Sequence, residues 1–113
     1  MNLSDRKLKE RKVRQDLILD AALQVFKKKG IEGSTMDEIA LEADFGKATL
    51  YYYFKSKEDV FSAILTNGWK DLWANLEPVI SEDNKSPRDT FVNILLCISD
   101  NVRARPGLYE FLF

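Results

Sequence analysis

One short pattern occurs three times along the chain and constrains its fold: a hydroxyl residue is followed three positions later by an acid. At the start of a helix, the hydroxyl oxygen accepts a hydrogen bond from a free backbone N–H, and the acid reaches back to the first residue. Three such starts within 113 residues predict a chain built from helices. The pairs are Thr35 with Glu38, Ser56 with Asp59, and Ser86 with Asp89.

Apolar residues recur at helical spacing around these starts, as at Ile18, Ala22 and Phe26. Gly30 follows three lysines, which suits a helix end, because glycine adopts the left-handed cap and lysine favours the negative end of the helix dipole. No apolar run approaches the ~18 residues that a membrane span needs. The predicted helices span residues 10–29, 35–42, 46–53, 56–80 and 87–104, and a sixth begins near Pro106.

Two of the predicted helices, 35–42 and 46–53, are short and separated by only a few residues, which is typical of a helix-turn-helix. On the second helix, Leu50 and Phe54 lie four residues apart and are predicted to face inward, while Phe45 covers the joint. Asp44 suits the turn, because aspartate tolerates the left-handed backbone conformation better than most residues do.

The aromatic run Tyr51–Phe54 raises the question of function. Such runs usually belong to a core, but each helical residue turns by ~100°, so at least one of these tyrosines must be exposed. An exposed face beside lysines is typical of a recognition helix, whose first residues enter the major groove while others contact phosphates. We therefore predict contacts with DNA from Lys47, Ala48, Thr49, Tyr51 and Tyr52.

Thr35 and Lys57 lie at helix starts, where free N–H groups favour a phosphate. Each has a simpler interpretation as well: Thr35 can be a helix cap without a ligand, and Lys57 can be a solvated side chain. Only the spacing of these residues relative to the recognition helix favours DNA contacts.

The stretch TMDEIALEADFGKATLYYYFKSKEDVFSAIL, residues 35–65, resembles the N-terminal DNA-binding domain of the TetR family of bacterial transcriptional regulators. The preceding stretch ILDAALQVFKKKGIEGST also matches the family, and the resemblance extends over about residues 14–66. The marks that carry it are Thr35, Ile39-Ala40, Ala43, Thr49-Leu50-Tyr51, Tyr53-Phe54 and Ser56-Lys57-Glu58.

This resemblance implies a helical homodimer whose three N-terminal helices bind a palindromic DNA operator. It also implies a larger C-terminal domain that dimerises and binds a small-molecule effector, which usually releases the operator. The implied DNA contacts are Thr35, Met36, Lys47, Ala48, Thr49, Tyr51, Tyr52 and Lys57. Tyr53 stands where many relatives have histidine, and Asp44-Phe45 replaces the family's glycine and small aliphatic residue.

The expected organisation is all-α, with a homeodomain-like helix-turn-helix domain followed by helices of a truncated ligand-binding and dimerisation domain. We predict a basic arm over residues 1–13, the DNA-binding domain over 14–57, and the linking helix with an incomplete effector domain over 58–113. Residues 1–57 carry 12 Lys and Arg against 9 Asp and Glu, and the remainder carries 5 against 9. The arm can track phosphates or form a solvated helix extension, and the sequence does not choose between them. Because family members are longer, we expect the chain to be a fragment.

An enzyme is not expected. The chain has no histidine, no metal-ligand spacing and no cluster of carboxylates, so neither catalytic residues nor a metal or cofactor site is predicted. The single cysteine, Cys97, lies in an apolar helical stretch and is predicted to be a small buried residue. The chain is expected to act in the bacterial cytoplasm, in contact with the nucleoid when it binds DNA and without a membrane partner.

Two alternatives remain for the second half of the chain. Trp69 and Trp73, one turn apart, can belong to the core or can border an effector pocket. In addition, the low net charge and the apolar end of the chain fit a helical module that binds protein rather than DNA. In that case Trp69, Leu108 and Phe111 would contact the partner.

Overall fold

The computed structural model describes residues 3–83 and 85–113, and these residues form helices without any strand. The all-helical prediction is therefore confirmed. In chain order the helices are α1 Leu3–Lys29, α2 Met36–Ala43, α3 Lys47–Tyr53, α4 Lys57–Ile80, α5 Pro87–Ala104 and α6 Pro106–Leu112. None of these helices in the described residues is long and apolar enough to cross a membrane.

The hydroxyl caps at the three helix starts form as the sequence predicts. The hydroxyl oxygen of Thr35 accepts a hydrogen bond from the backbone N–H of Glu38 at 3.2 Å. Ser56 and Ser86 accept equivalent bonds, each at 3.2 Å, from the residues three positions later. At the other end of α1, Gly30 has a φ of 72°, the left-handed conformation expected of a glycine cap. Local hydrogen bonding thus fixes the helix boundaries.

Helix α1 begins at Leu3, seven residues before its predicted start. The added turns contain mainly lysine, arginine and leucine, which have high helix propensity. Lys12 and Asp16 also form an ion pair at 3.5 Å one turn apart. Residues 3–13 of the predicted arm are thus the first part of a continuous helix, and residues 1 and 2 lie outside the described residues.

The first of two compact units ends at Ile64. Its core combines apolar side chains from the first four helices, and the fully buried ones include Ile18, Ile39, Leu50 and Val60. The ring of Phe26 also meets that of Phe61 edge to face, with centroids 6.3 Å apart. This packing holds α3 on a scaffold made by α1, α2 and the first turns of α4.

The turn between α2 and α3 depends on one unusual residue. Asp44 has a φ of 59°, in the left-handed region. Its N–H donates to the Leu41 carbonyl at 3.2 Å, and the Phe45 N–H donates to the Ala40 carbonyl at 3.0 Å, so the last carbonyls of α2 are satisfied. The prediction that Asp44 adopts this conformation is confirmed, and Phe45 is half-buried.

The second unit comprises Leu65–Phe113. Leu72, Leu108 and Tyr109 are buried in it, whereas no residue of α5 is buried. The apolar side of this helix is therefore largely open, with Phe91 61% exposed. Cys97 is half-buried rather than buried, and its Sγ donates to the Asn75 carbonyl at 3.5 Å. The prediction of a buried cysteine is thus wrong, because Cys97 lines a surface groove together with polar residues such as Asn75 and Asn101.

Candidate nucleic-acid interface

Helix α3 has one buried side and one open side. Leu50 is fully buried, and Phe54, just beyond the helix, is half-buried, as predicted from their spacing. Tyr51 is 39% exposed and Tyr52 is 65% exposed, whereas Tyr53 is half-buried. The aromatic run is therefore divided by the turn of the helix, and its polar groups line two grooves that flank α3.

The first of these, which we call the α2–α4 groove, lies between the N-terminal ends of α2 and α4 and one side of α3. It is a shallow depression of about 410 Å³. Five residues predicted from the sequence to contact DNA come together there: Thr35, Met36, Lys47, Tyr51 and Lys57. They are brought together because three chain segments converge on α3.

Lys47 is already paired within this groove. Its ammonium lies 2.9 Å from the carboxylate of Asp37, and both side chains are more than half exposed. The hydrogen bond to Asp37 and its negative charge raise the pKa of Lys47 above the ordinary value. A phosphate or a guanine edge must therefore compete with Asp37 for this lysine.

Lys57 is engaged more firmly than the sequence suggests. Its ammonium donates to the backbone carbonyl oxygens of Ser34 at 3.0 Å and Glu32 at 3.3 Å. The side chain is half-buried, so it is not the fully solvated lysine of the simpler interpretation. Because an ammonium has three donors, one remains for a phosphate while the other two connect α4 to the loop before α2.

Thr35 and Met36 differ in what they offer. The Thr35 side chain caps α2 and also donates to the carboxylate of Glu38 at 3.1 Å. Glu38 in turn pairs with Lys29, and this hydrogen bond is the main reason that the pKa of Glu38 lies below its ordinary value. Met36 is only 8% exposed and belongs mainly to the core, so its backbone N–H at the start of α2 is the group best placed for a phosphate, and its contact with DNA stays a prediction.

The second groove, which we call the α1–α3 groove, lies between the first turns of α1 and the other side of α3. Its volume is about 800 Å³. Ala48, Thr49 and Tyr52, the remaining predicted contacts, line its α3 wall. Its α1 wall carries Lys7, Arg11 and Arg14.

Arg11 joins these two walls directly. Its guanidinium carbon lies 5.8 Å from the centroid of the Tyr52 ring and 6.0 Å from that of Tyr53. The two rings meet edge to face with centroids 5.0 Å apart. Arg11 belongs to the basic arm predicted from the sequence, but its contact with the tyrosines was not predicted, because no local spacing relates residue 11 to residues 52 and 53.

Lys55 was also missed. It is exposed, lines the α2–α4 groove, and donates to the Tyr51 carbonyl at 3.3 Å. Its position directly after the aromatic run was the available indication, since cations beside a recognition helix favour phosphate contacts.

The tryptophans of the second unit lie on the surface. Trp69 is 46% exposed and Trp73 is 55% exposed, so the core interpretation is wrong for both. Trp69 meets the ring of Phe113 edge to face, with centroids 5.4 Å apart.

A cleft of about 330 Å³ in this unit is lined by other residues, including Asn75, Asn101 and Tyr109. Burial raises the pKa of Tyr109.

Comparison with known proteins assigns the family. The profile of the family described as bacterial regulatory proteins, tetR family, matches residues 18–64, which include the helix-turn-helix, the last turns of α1 and the first turns of α4. This chain belongs to the TetR family.

Within the described residues, no group of His, Cys, Asp or Glu side chains is arranged to hold a metal ion.

The relatives are transcriptional regulators. The biofilm operon icaADBC HTH-type negative transcriptional regulator IcaR of Staphylococcus epidermidis is 29% identical over 99 residues, covering 88% of this chain and 43% of the relative. The uncharacterized HTH-type transcriptional regulator YfiR of Bacillus subtilis is 33% identical over 89 residues, covering 67% of this chain and 43% of the relative. These relatives support the prediction that this TetR-family chain is not an enzyme.

A solved structure agrees with the fold. The TetR-like transcriptional regulator from Rhodococcus sp. RHA1 is similar with a TM-score of 0.79 and 30% identity, over 88% of this chain and 54% of that one. The present chain thus spans less than half of the two curated relatives and about half of the solved one.

Proposed function

We propose that this TetR-family protein is a DNA-binding transcriptional regulator. The observation that carries the proposal is the open side of α3, opposite the buried Leu50. Lys47, Ala48 and Tyr52 are exposed there, at the N-terminal end and along the middle of the helix. Small and cationic side chains near the start of a recognition helix suit base edges, and tyrosine hydroxyls suit phosphate oxygens.

The two grooves that flank α3 support the same function. Each contains cations from a different part of the chain: Lys55 and Lys57 on one side, Arg11 and Arg14 on the other. A helix that enters the major groove has a phosphate backbone on both sides, so cations are required on both flanks. In this arrangement α3 reads the bases and the flanking residues fix its position.

The protein acts on a palindromic operator as a homodimer. Each copy reads one half-site with its α3, and the half-sites lie roughly 34–36 Å apart, or a multiple of this distance. Dimerisation occurs through the helical region that follows the DNA-binding unit, and an unidentified small-molecule effector alters DNA binding. The family resemblance supports both statements. The relative IcaR is a negative transcriptional regulator, which favours repression in the bacterial cytoplasm.

A helical module that binds another protein without specific DNA binding is the second candidate. The apolar side chains of α5 favour it, because Phe91 and Leu96 are 61% and 57% exposed. Exposed apolar patches often belong to protein interfaces. The two candidates differ in which substitutions abolish binding: those on α3 for a DNA-binding regulator, and those on α5 for an interaction module.

Selection of duplexes from a random-sequence pool by the intact protein tests the proposal. We expect enrichment of an inverted repeat, and we expect Lys47→Ala to weaken binding or change the preferred base in each half-site. Lys28→Ala is the matched control, since it removes an exposed lysine at the end of α1. If the intact protein prefers no duplex over random DNA at moderate salt, the proposal is overturned.

A further inference from the structure

We infer that the α1–α3 groove is a binding site for the phosphate backbone of double-stranded DNA, with Arg11 as the residue that positions its two walls. The inference rests on the proposed function and adds a contact region that the helix-turn-helix does not contain. It depends on the first turns of α1, which precede the segment shared with the family profile.

The charge of the groove is the first argument. Lys7, Arg11 and Arg14 follow one another at intervals of four and three residues, so they lie along the same side of α1. All three line the groove, and Glu10 is the carboxylate that accompanies them there. Three cations facing one carboxylate favour an anionic ligand.

The shape and position of the groove supply the second argument. Its opposite wall is the part of α3 formed by Ala48, Thr49 and Tyr52. A DNA strand that borders the major groove occupied by α3 therefore passes along the α1 side. The Thr49 and Tyr52 hydroxyls are neutral donors suited to the same phosphates.

Arg11 explains why the two walls stay together. Its guanidinium contacts the rings of both Tyr52 and Tyr53, at 5.8 and 6.0 Å from their centroids. A guanidinium can stack on an aromatic ring and still donate hydrogen bonds from its edge. Arg11 therefore orients Tyr52 and keeps the first turns of α1 against α3, so that the cations face the DNA.

Salt dependence provides the test, because each phosphate contact contributes about 0.9 to the slope of log affinity against log salt concentration. The groove variant is Lys7→Gln with Arg14→Gln. The control variant is Lys9→Gln with Lys12→Gln, which removes the same charge from other sides of α1. The probe is the duplex that the unmodified intact protein selects from a random-sequence pool.

We expect the slope to become shallower by about 1.8 in the groove variant and to stay unchanged in the control. When the salt concentration rises fourfold, the unmodified protein should therefore lose about 12 times more affinity than the groove variant loses. Each single substitution, Lys7→Gln or Arg14→Gln, should account for about half of the change in slope. If the double variant is unstable, the two single variants therefore test the same expectation.

Arg11→Lys separates positioning from charge. The substitution keeps the cation but loses the planar group, so we expect an unchanged slope with affinity reduced about 2- to 5-fold. Equal slopes for the groove and control variants would overturn the inference alone, since the unmodified protein still binds its duplex. If the unmodified protein binds no duplex, the inference and the proposed function both fail.

Discussion

Replacing Lys57 with methionine tests whether this side chain stabilises the DNA-binding unit before any DNA is present. The ammonium donates to the Ser34 carbonyl at 3.0 Å and to the Glu32 carbonyl at 3.3 Å. Methionine retains much of the apolar length of lysine but provides neither charge nor donors. The two carbonyl groups would then depend on water for their hydrogen bonds.

The expected loss in the free energy of unfolding is about 1.5–2 kcal/mol. A hydrogen bond from a charged donor contributes about 1.5–3 kcal/mol. The bond to Ser34 is part-buried and should keep a contribution near the lower end of this range. The bond to Glu32 is longer and exposed, so it adds little.

Urea unfolding of the intact protein without DNA measures the effect as a lower midpoint at an unchanged slope. Lys55→Met is the matched control, because it removes the same charge from a nearby exposed lysine that donates to the Tyr51 carbonyl at 3.3 Å. We expect this control to change stability by no more than about 0.5 kcal/mol. Equal losses in the two variants would show that Lys57 does not connect α4 to the loop.

Three further substitutions address the recognition helix and its support. Asp37→Asn should return the pKa of Lys47 towards its ordinary value and raise DNA affinity at low salt, measurable by fluorescence anisotropy; an unchanged affinity would exclude competition between Asp37 and DNA. Leu50→Ala should reduce the free energy of unfolding by about 2–5 kcal/mol in a thermal or urea titration, because the side chain is fully buried. Glu38→Gln should flatten the acid limb of the stability profile. The pKa of Glu38 is depressed by Lys29, so its contribution is present above the ordinary value of 4.5 and is lost as the pH falls below it.

Several parts of the fold could be predicted because their causes are local. The hydroxyl oxygen of Thr35 and the N–H that it binds are three residues apart. The left-handed conformations of Gly30 and Asp44 follow from the tolerance of those two residue types. The helix-turn-helix, the inward orientation of Leu50 and the family assignment all derive from such short patterns.

The partners and the burial of the site residues could not be predicted in the same way. Lys47 and Tyr52 were identified from their place on α3, but their neighbours Asp37 and Arg11 come from other helices. Met36 was implied as a contact by the family resemblance, yet it is a buried residue of the core. In each case the missing information was the direction of a side chain relative to a segment distant in sequence.

Apart from the start of α1, the sequence by itself determined where the helices begin and end, which side of α3 is apolar, and to which family the chain belongs. The tertiary structure decided which polar groups are already engaged and which segments border the recognition helix. Lys57 bonds to a carbonyl 23 residues away, and Arg11 meets rings more than 40 residues away. Such pairs form because helix packing brings distant parts of the chain into contact. The packing is determined by the burial of the whole apolar core and not by the residues adjacent in sequence.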